Sequence, residues 1–148
     1  MIPALKKLQK KGWKIIIGTN QAGIARGYVK IKSLDEIHEK LLRLFKLGGV
    51  RIAALYFCPH HPDDGCLCRK PQPRMILNAQ KKFNLDLAQS FVIGDRESDI
   101  WWGQGAGLRS ILVLTGYGRR TRAQKKAKPD FIARSLPWAV RKILEMSD

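Results

Sequence analysis

The sequence predicts an α/β fold, an open Rossmann-like parallel sheet with helices on both faces. Short apolar runs alternate along the chain with segments whose apolar residues recur at helical spacing. The runs are mostly hydrophobic, as is typical of strands that are buried on both faces. Strands that alternate with helices form parallel sheets, and ligands of such sheets bind beyond the carboxyl ends of the strands.

The first half of the chain contains two predicted helices and two predicted strands. Pro3 and Gly12 bound the first helix, on which Leu5 and Leu8 share a face. The pattern Ser33-Leu-Asp-Glu has the spacing of a capping box and predicts the start of the second helix. The predicted order is helix 3–12, buried strand 13–18, loop 19–32, helix 33–48 and strand 52–57.

The second half continues the alternation and ends on a helix. Pro73 begins a helix, and the next helix contains Ile100 and Trp101 and ends near Gly105 and Gly107. A basic loop, rich in Arg and Lys, precedes a short edge strand. The predicted order is helix 73–83, strand 91–94, the helix with Ile100, strand 111–114, edge strand 130–132 and helix 135–146.

Length and composition indicate one domain, residues 1–148, which is long enough to bury a core. No apolar run reaches about 18 residues and no signal-peptide pattern is present, so we expect a cytoplasmic protein with no membrane partner. In a reducing compartment, three cysteines are better interpreted as ligands than as disulfides.

All three cysteines and two of the three histidines lie within eleven residues, from Cys58 to Cys68. Cys-x-His and Cys-x-Cys pairs supply four ligands of the kind that zinc binds in closed tetrahedral sites. His61 is an alternative to the neighbouring histidine, and three unliganded thiols on a flexible loop are the alternative to a metal. The predicted zinc ligands are Cys58, His60, Cys66 and Cys68.

Three further motifs suggest an anion and a hard cation. Asp95 and Asp99 lie four residues apart after a predicted strand and suit Mg²⁺, unless Asp95 only caps a helix and Asp99 lies on a solvated face. The segment Thr19-Asn-Gln-Ala-Gly offers hydroxyl, amide and backbone donors to a phosphate, or forms an ordinary turn. Lys70 suits a phosphoryl oxygen, although it is one lysine among many.

The order of these motifs, a strand-end Thr19, then Lys70, then Gly94-Asp-x-x-x-Asp, resembles the haloacid dehalogenase phosphatases over nearly the whole chain. Within that superfamily, Thr19-Asn-Gln-Ala-Gly-Ile-Ala-Arg-Gly-Tyr and the Cys58 loop resemble the group of heptose bisphosphate and histidinol phosphatases. The Gly-Ile-Ala-Arg-Gly stretch favours the heptose branch. The resemblance implies a Mg²⁺-dependent phosphatase of a small sugar phosphate, D-glycero-D-manno-heptose 1,7-bisphosphate, with histidinol phosphate as the alternative substrate.

The resemblance also implies residue roles. Thr19 and Lys70 stabilise the transferring phosphoryl group, Asp95 binds Mg²⁺, and the four Cys and His ligands bind Zn²⁺. The residues that contact substrate are Thr19, Asn20, Gln21, Ala22, Arg69, Lys70 and Arg96.

The family's first motif, Asp-x-Asp, supplies the nucleophile that forms an aspartyl-phosphate and the general acid and base. This sequence contains no such pattern, and no acidic residue precedes Asp35. We therefore expect an N-terminally shortened member, by truncation or by a misplaced start, that is inactive in this form.

The formal net charge of +16 suggests either a solvated basic surface or contact with nucleic acid. The basic residues are spread widely with little aromatic interleaving, which favours the surface interpretation. We expect a monomer that acts on a small sugar phosphate. A catalytically inactive phosphate-binding remnant and a nucleic-acid-associated phosphatase are the alternatives.

Overall fold

The computed structural model describes residues 1–147 and divides into two compact units. The N-terminal unit is Ile2–Arg69, and the C-terminal unit begins at Lys70. Every strand pair in the described chain is parallel, which confirms the α/β fold predicted from the sequence. No helix within residues 1–147 combines the length and the apolar character that crossing a bilayer requires.

The N-terminal unit contains a two-stranded parallel sheet. Its elements are α1 (Ile2–Lys10), β1 (Ile15–Asn20), α2 (Ala22–Ala25), α3 (Ile31–Leu47), β2 (Ile52–Cys58) and a 3₁₀ turn (Pro62–Asp64). The register aligns Thr19 with Phe57 and Asn20 with Cys58, so the loops that follow β1 and β2 leave the same edge of the sheet. Leu5 and Leu8 are buried, as their helical spacing predicts.

Two predictions for this unit are wrong. The segment 19–32 is not all loop, because α2 lies within it and α3 begins at Ile31. Ser33 is not a helix cap: the N-cap is Lys30, whose side chain makes no capping bond. No Gly or Pro separates Lys30 from Ser33, so nothing stops the helix from extending back past the capping pattern.

The strand predicted to be buried is only half-buried at each of its positions. Among the described strands, β1 is hydrogen-bonded to β2 alone, so it is an edge strand on its other side. Apolar residues in such a strand have a neighbouring strand on one side only, which explains their partial exposure.

The C-terminal unit contains a three-stranded parallel sheet in the order β3-β4-β5. Its elements are α4 (Arg74–Phe83), β3 (Phe91–Gly94), α5 (Glu97–Gly105), β4 (Arg109–Val113), α6 (Gly118–Gln124), β5 (Phe131–Ala133) and α7 (Leu136–Ser147). Its core includes Ile100, Ile111 and Leu112, which are at most 1% exposed, and it positions the carboxyl end of β3, where Asp95 follows.

The predicted basic loop contains a helix, α6, that sequence periodicity missed. Its buried positions are Gly118 and Thr121, which give no apolar stripe. Tertiary contacts fix the helix instead. A Cβ at Gly118 would overlap the carbonyl oxygen of Val113, and the Thr121 hydroxyl donates to the Asp95 carbonyl over 2.8 Å. Glycine is thus required for α6 to begin so close to β4.

Asp130 gives the C-terminal unit a pH-dependent contribution to stability. Ser110, which is fully buried, donates to Asp130 Oδ2 from its hydroxyl over 2.6 Å and from its amide over 2.7 Å. The hydroxyl hydrogen bond is the main cause that lowers the pKa of Asp130. The carboxylate therefore stabilises the fold above its unfolded pKa, and this contribution is lost as the pH falls through the lower, folded pKa.

We expect Asp130→Asn to lower the free energy of unfolding by no more than about 1 kcal/mol at pH 7, because a hydrogen bond to a charged acceptor is replaced by a neutral one and water partly screens the exposed carboxylate. The difference should be smaller at an acid pH below the folded pKa than at pH 7, because the carboxylate is protonated as the pH falls through that lowered pKa. Urea unfolding at both pH values measures it, with the exposed Asp35→Asn as control. An unchanged gap at acid pH contradicts the assignment.

Candidate functional site

Four predicted metal ligands come together after β2. The ligand atoms of Cys58, His60, Cys66 and Cys68 all lie within 4.8 Å of one another. The Cys58 sulfur lies 3.4 Å from that of Cys66 and 3.0 Å from that of Cys68, and His60 Nδ1 lies 3.1 Å from the Cys68 sulfur. All three thiols are free, so the cluster is not a disulfide.

These distances fit a tetrahedral ion. Zn–S bonds of about 2.3 Å place two thiolates of one tetrahedron roughly 3.8 Å apart. The observed sulfur separations, 3.0 to 3.7 Å, are slightly shorter than that. A set of three thiols and one imidazole, with no fifth group among the described residues, matches zinc better than a hard cation.

His61 has a different local role from that of its neighbour. Its Nδ1 accepts a hydrogen bond from the Asp63 amide over 3.3 Å, while its own amide donates to Asp64 Oδ2 over 2.8 Å. This reciprocal pair caps the 3₁₀ turn Pro62–Asp64. The ring of His61 is therefore used to fold the loop, and it does not belong to the four-residue cluster.

Cys58 and Cys66 differ strongly in the pKa of their thiols. Burial, together with the hydrogen bond to Cys68, raises the pKa of Cys58 to about 12. Burial also raises the pKa of Cys66, but hydrogen bonds from Cys58 and from the backbone of Arg69 and Cys68 outweigh it and lower that pKa to about 7. A cation in the cluster would remove the cost of ionising the buried Cys58 thiol.

The segment after β1 lies beside the start of the metal loop. Thr19 and Asn20 are the last residues of β1, and the Gln21 amide donates to the Cys58 carbonyl over 2.8 Å. The Gln21 side chain donates to the Thr19 hydroxyl over 3.3 Å, and Ala22 begins α2. The N-terminal unit thus gathers the predicted phosphate-binding residues and the Cys58 loop at one edge of its sheet.

Arg69 carries a donor that the protein itself does not satisfy. Its Nη1 is buried and finds no acceptor among residues 1–147. A buried guanidinium N–H without a partner is costly, and an anionic oxygen is the acceptor that suits it best. This orphaned donor supports an anion at the end of the metal loop.

In the C-terminal unit, Lys70 is paired with Asp99. Lys70 Nζ lies 2.6 Å from Asp99 Oδ1, and the two side chains are only 13% and 10% exposed. The ammonium also lies 5.3 Å from the centre of the Trp102 ring. The alternative that places Asp99 on a solvated face is wrong, because the residue is buried and neutralises a lysine 29 positions away.

Asp99 also fixes the turn after β3. Its Oδ2 accepts hydrogen bonds from the amides of Asp95, over 3.2 Å, and Arg96, over 3.1 Å. A Cβ at Gly94 would overlap the Asp99 side chain, so the glycine leaves room for this carboxylate. With both oxygens engaged, Asp99 positions Asp95 and Lys70 and is not itself an open metal ligand.

Asp95 keeps one oxygen available for a cation. Its Oδ2 accepts the Tyr117 amide over 2.8 Å, whereas Oδ1 accepts no hydrogen bond from the described residues. The guanidinium of Arg96 stacks 3.8 Å above the Tyr117 ring. Sequence reasoning missed Tyr117 and Thr121 because the contacts that bring them to Asp95 span more than 20 residues.

Comparison with known proteins identifies the class. A family model described as HAD-hydrolase-like matches residues 67–139. A solved structure, D,D-heptose 1,7-bisphosphate phosphatase from B. bronchiseptica complexed with magnesium and phosphate, matches 98% of this chain and 82% of its own with a TM-score of 0.91 and 34% identity. The parallel α/β fold and the strand-end site are those of a HAD-like hydrolase.

Curated relatives narrow the class. The chain is 41% identical over 124 residues to D-glycero-beta-D-manno-heptose-1,7-bisphosphate 7-phosphatase of Bordetella bronchiseptica, covering 83% of this chain and 69% of that protein. It is 44% identical to the corresponding alpha-named phosphatase of Photorhabdus laumondii, covering 78% of this chain and 68% of that protein. The chain belongs to this family of HAD-like heptose bisphosphate phosphatases.

Proposed function

We propose that the protein contains the substrate and metal site of a Mg²⁺-dependent phosphatase that acts on D-glycero-D-manno-heptose 1,7-bisphosphate. The observation that carries the proposal is the arrangement after β3, where Asp99 holds Lys70 and the turn that presents Asp95. Such an arrangement offers a fixed cation and an open carboxylate to a phosphate ester. The choice of substrate is supported by relatives that are named as phosphatases of this bisphosphate.

Separate roles follow for the residues of the site. Asp95 would hold Mg²⁺, which neutralises phosphate charge when it is bound. In the C-terminal unit, Lys70 would contact the transferring phosphoryl group. In the N-terminal unit, Thr19 would contact a phosphoryl group and the orphaned Nη1 of Arg69 would donate to the sugar phosphate. The remaining substrate contacts in this proposal are Asn20, Gln21, Ala22 and Arg96.

The cluster of Cys58, His60, Cys66 and Cys68 would hold a structural zinc ion. Its four donors close a tetrahedron and leave no position for a substrate or a water. The loop between Cys58 and Cys68 has one 3₁₀ turn and no other helix or strand. A bound metal ion would therefore stabilise its conformation. Its function in this proposal is to fix Arg69, the residue that follows the last ligand.

Chemistry additionally requires a nucleophile that this sequence does not contain. No Asp-x-Asp pattern occurs within the 148 residues. A polypeptide of this sequence alone should therefore bind phosphate and Mg²⁺ without turning over the ester by the family's covalent route.

The test compares two polypeptides and two substrates. We expect no Mg²⁺-dependent phosphate release from the heptose bisphosphate by the 148-residue chain. We expect turnover once a segment that carries the family's Asp-x-Asp motif precedes it, with preference over histidinol phosphate. Turnover by the unextended chain at the extended chain's rate would show that the nucleophile lies elsewhere. Preference for histidinol phosphate would refute the substrate assignment.

The same proposal covers organisation and location. We propose that residues 1–148 act as one haloacid dehalogenase-like domain, since a solved relative matches 98% of the chain. Free thiols in place of disulfides support a reducing, cytoplasmic setting. A monomer is proposed, and sedimentation of the purified protein tests it.

A further inference from the structure

A cavity of about 510 Å³ lies at the carboxyl ends of β4 and β5, and arginines line it. Leu114 follows β4 and Arg134 follows β5, and the Leu114 amide donates to the Ala133 carbonyl over 2.9 Å. That hydrogen bond continues the sheet beyond the last paired residues. The other lining residues, Arg119 and Arg122, come from α6.

The three guanidinium groups are carried by backbone that is fixed in place. Arg119 and Arg122 are three residues apart and so share a face of α6. Thr121 ties that helix to the carbonyl of Asp95. Arg134 lies 5.4 Å from the ring of Trp138, a cation–π contact that restricts its side chain.

The positive charge of this region has little compensation. Residues 114–142 contain nine Lys or Arg and one acidic residue, Asp130. Asp130 precedes β5 whereas Arg134 follows it, which separates them by roughly 13 Å of extended strand. Its carboxylate is already engaged by Ser110. No carboxylate of residues 1–147 forms an ion pair with Arg119, Arg122 or Arg134.

We propose that this cavity binds a small ligand that carries two or more phosphoryl groups. Each guanidinium group can bind two phosphate oxygens at once. Three guanidinium groups therefore suit a ligand with adjacent phosphates better than a ligand with a single phosphate. The volume falls within the range of small-molecule sites, about 300–1,000 Å³. The three exposed arginines line one half-open cavity, and this favours a compact polyphosphate over a nucleic-acid backbone, which runs along an extended basic stripe.

The site is independent of the proposed phosphatase function, because it uses neither Lys70 nor Asp95. Calorimetric titration of the full chain with pyrophosphate and with orthophosphate, at constant ionic strength, tests it. Pyrophosphate should bind at least about tenfold more tightly, since it engages more guanidinium groups. Arg122→Ala and Arg134→Ala should each weaken pyrophosphate binding by about tenfold or more.

Arg120 provides the matched control. It lies on α6 and is exposed, but it does not line the cavity, so Arg120→Ala removes the same charge from the same helix. Its effect should stay within about twofold, as expected of a screened surface charge. Thermal unfolding verifies that each variant folds. Arg134→Lys, which keeps the charge but not the fork, should retain intermediate affinity if Arg134→Ala fails to fold.

Several outcomes would overturn the proposal. Equal losses in Arg120→Ala and Arg134→Ala would indicate diffuse charge without a site. Loss of binding in Lys70→Ala with none in Arg134→Ala would place the anion at Asp95 and Lys70. Tighter binding of a 12-base-pair DNA duplex than of pyrophosphate, with a steep salt dependence, would make the surface a nucleic-acid contact. Absence of pyrophosphate binding by the parent would also refute it.

Discussion

His60→Ala is expected to lower the affinity for zinc by at least about 100-fold. Loss of a residue that only hydrogen-bonds to a metal ligand typically lowers metal affinity by about 10- to 100-fold, and loss of a ligand should lower it more. The imidazole Nδ1 lies 3.1 Å from the Cys68 sulfur and 3.5 Å from that of Cys58, so its loss opens the tetrahedron. Competition with a chelating dye measures the affinity. Since zinc binding is coupled to folding of the loop, thermal stability should fall as well.

The neighbouring histidine supplies the control. His61→Ala removes the same ring one residue away, but it should lower zinc affinity by no more than about tenfold, because His61 lies outside the cluster and its Nδ1 only caps the turn. EDTA should lower the melting temperature of the parent and of His61→Ala, and hardly change that of His60→Ala. Equal zinc loss in both variants would contradict the ligand set.

The metal loop shows how far local sequence can determine a site. Clustering of thiols and imidazoles is a local signal, so the spacing of these residues is enough to indicate a tetrahedral set. The choice between His60 and His61 depends on turn chemistry, which the spacing does not contain. Pro62 and the two aspartates that follow create a capped 3₁₀ turn, and that turn occupies one of the two rings.

Contacts distant in sequence explain what the patterns could not reveal. Asp99 is buried because Lys70, 29 residues earlier, neutralises it. α6 forms without an apolar stripe because the Thr121 hydroxyl donates to the Asp95 carbonyl and because Gly118 has no Cβ to overlap the Val113 carbonyl. The parallel direction of the strands followed from their alternation with helices, but the pairing of β1 with β2 alone among the described strands did not.

The second large effect concerns the pair that organises the turn after β3. We expect Lys70→Met and Asp99→Asn each to lower the free energy of unfolding by about 3 kcal/mol or more, because each leaves a buried charge without its counterion. The side chains are 13% and 10% exposed, too little for water to replace the lost partner fully. Chemical denaturation of both single variants gives the two values.

The double variant and an exposed pair separate pairing from bulk charge loss. Lys70→Met with Asp99→Asn should cost less than the sum of the single changes by at least about 1 kcal/mol, since neither charge remains stranded. Arg141 and Glu145 form a comparable ion pair at 3.0 Å, but their side chains are 69% and 54% exposed. Their alanine variants should couple by no more than about 0.5 kcal/mol. Additive costs at Lys70 and Asp99 would mean that water already screens the pair, and Asp99 would then act only by holding the Asp95 and Arg96 amides.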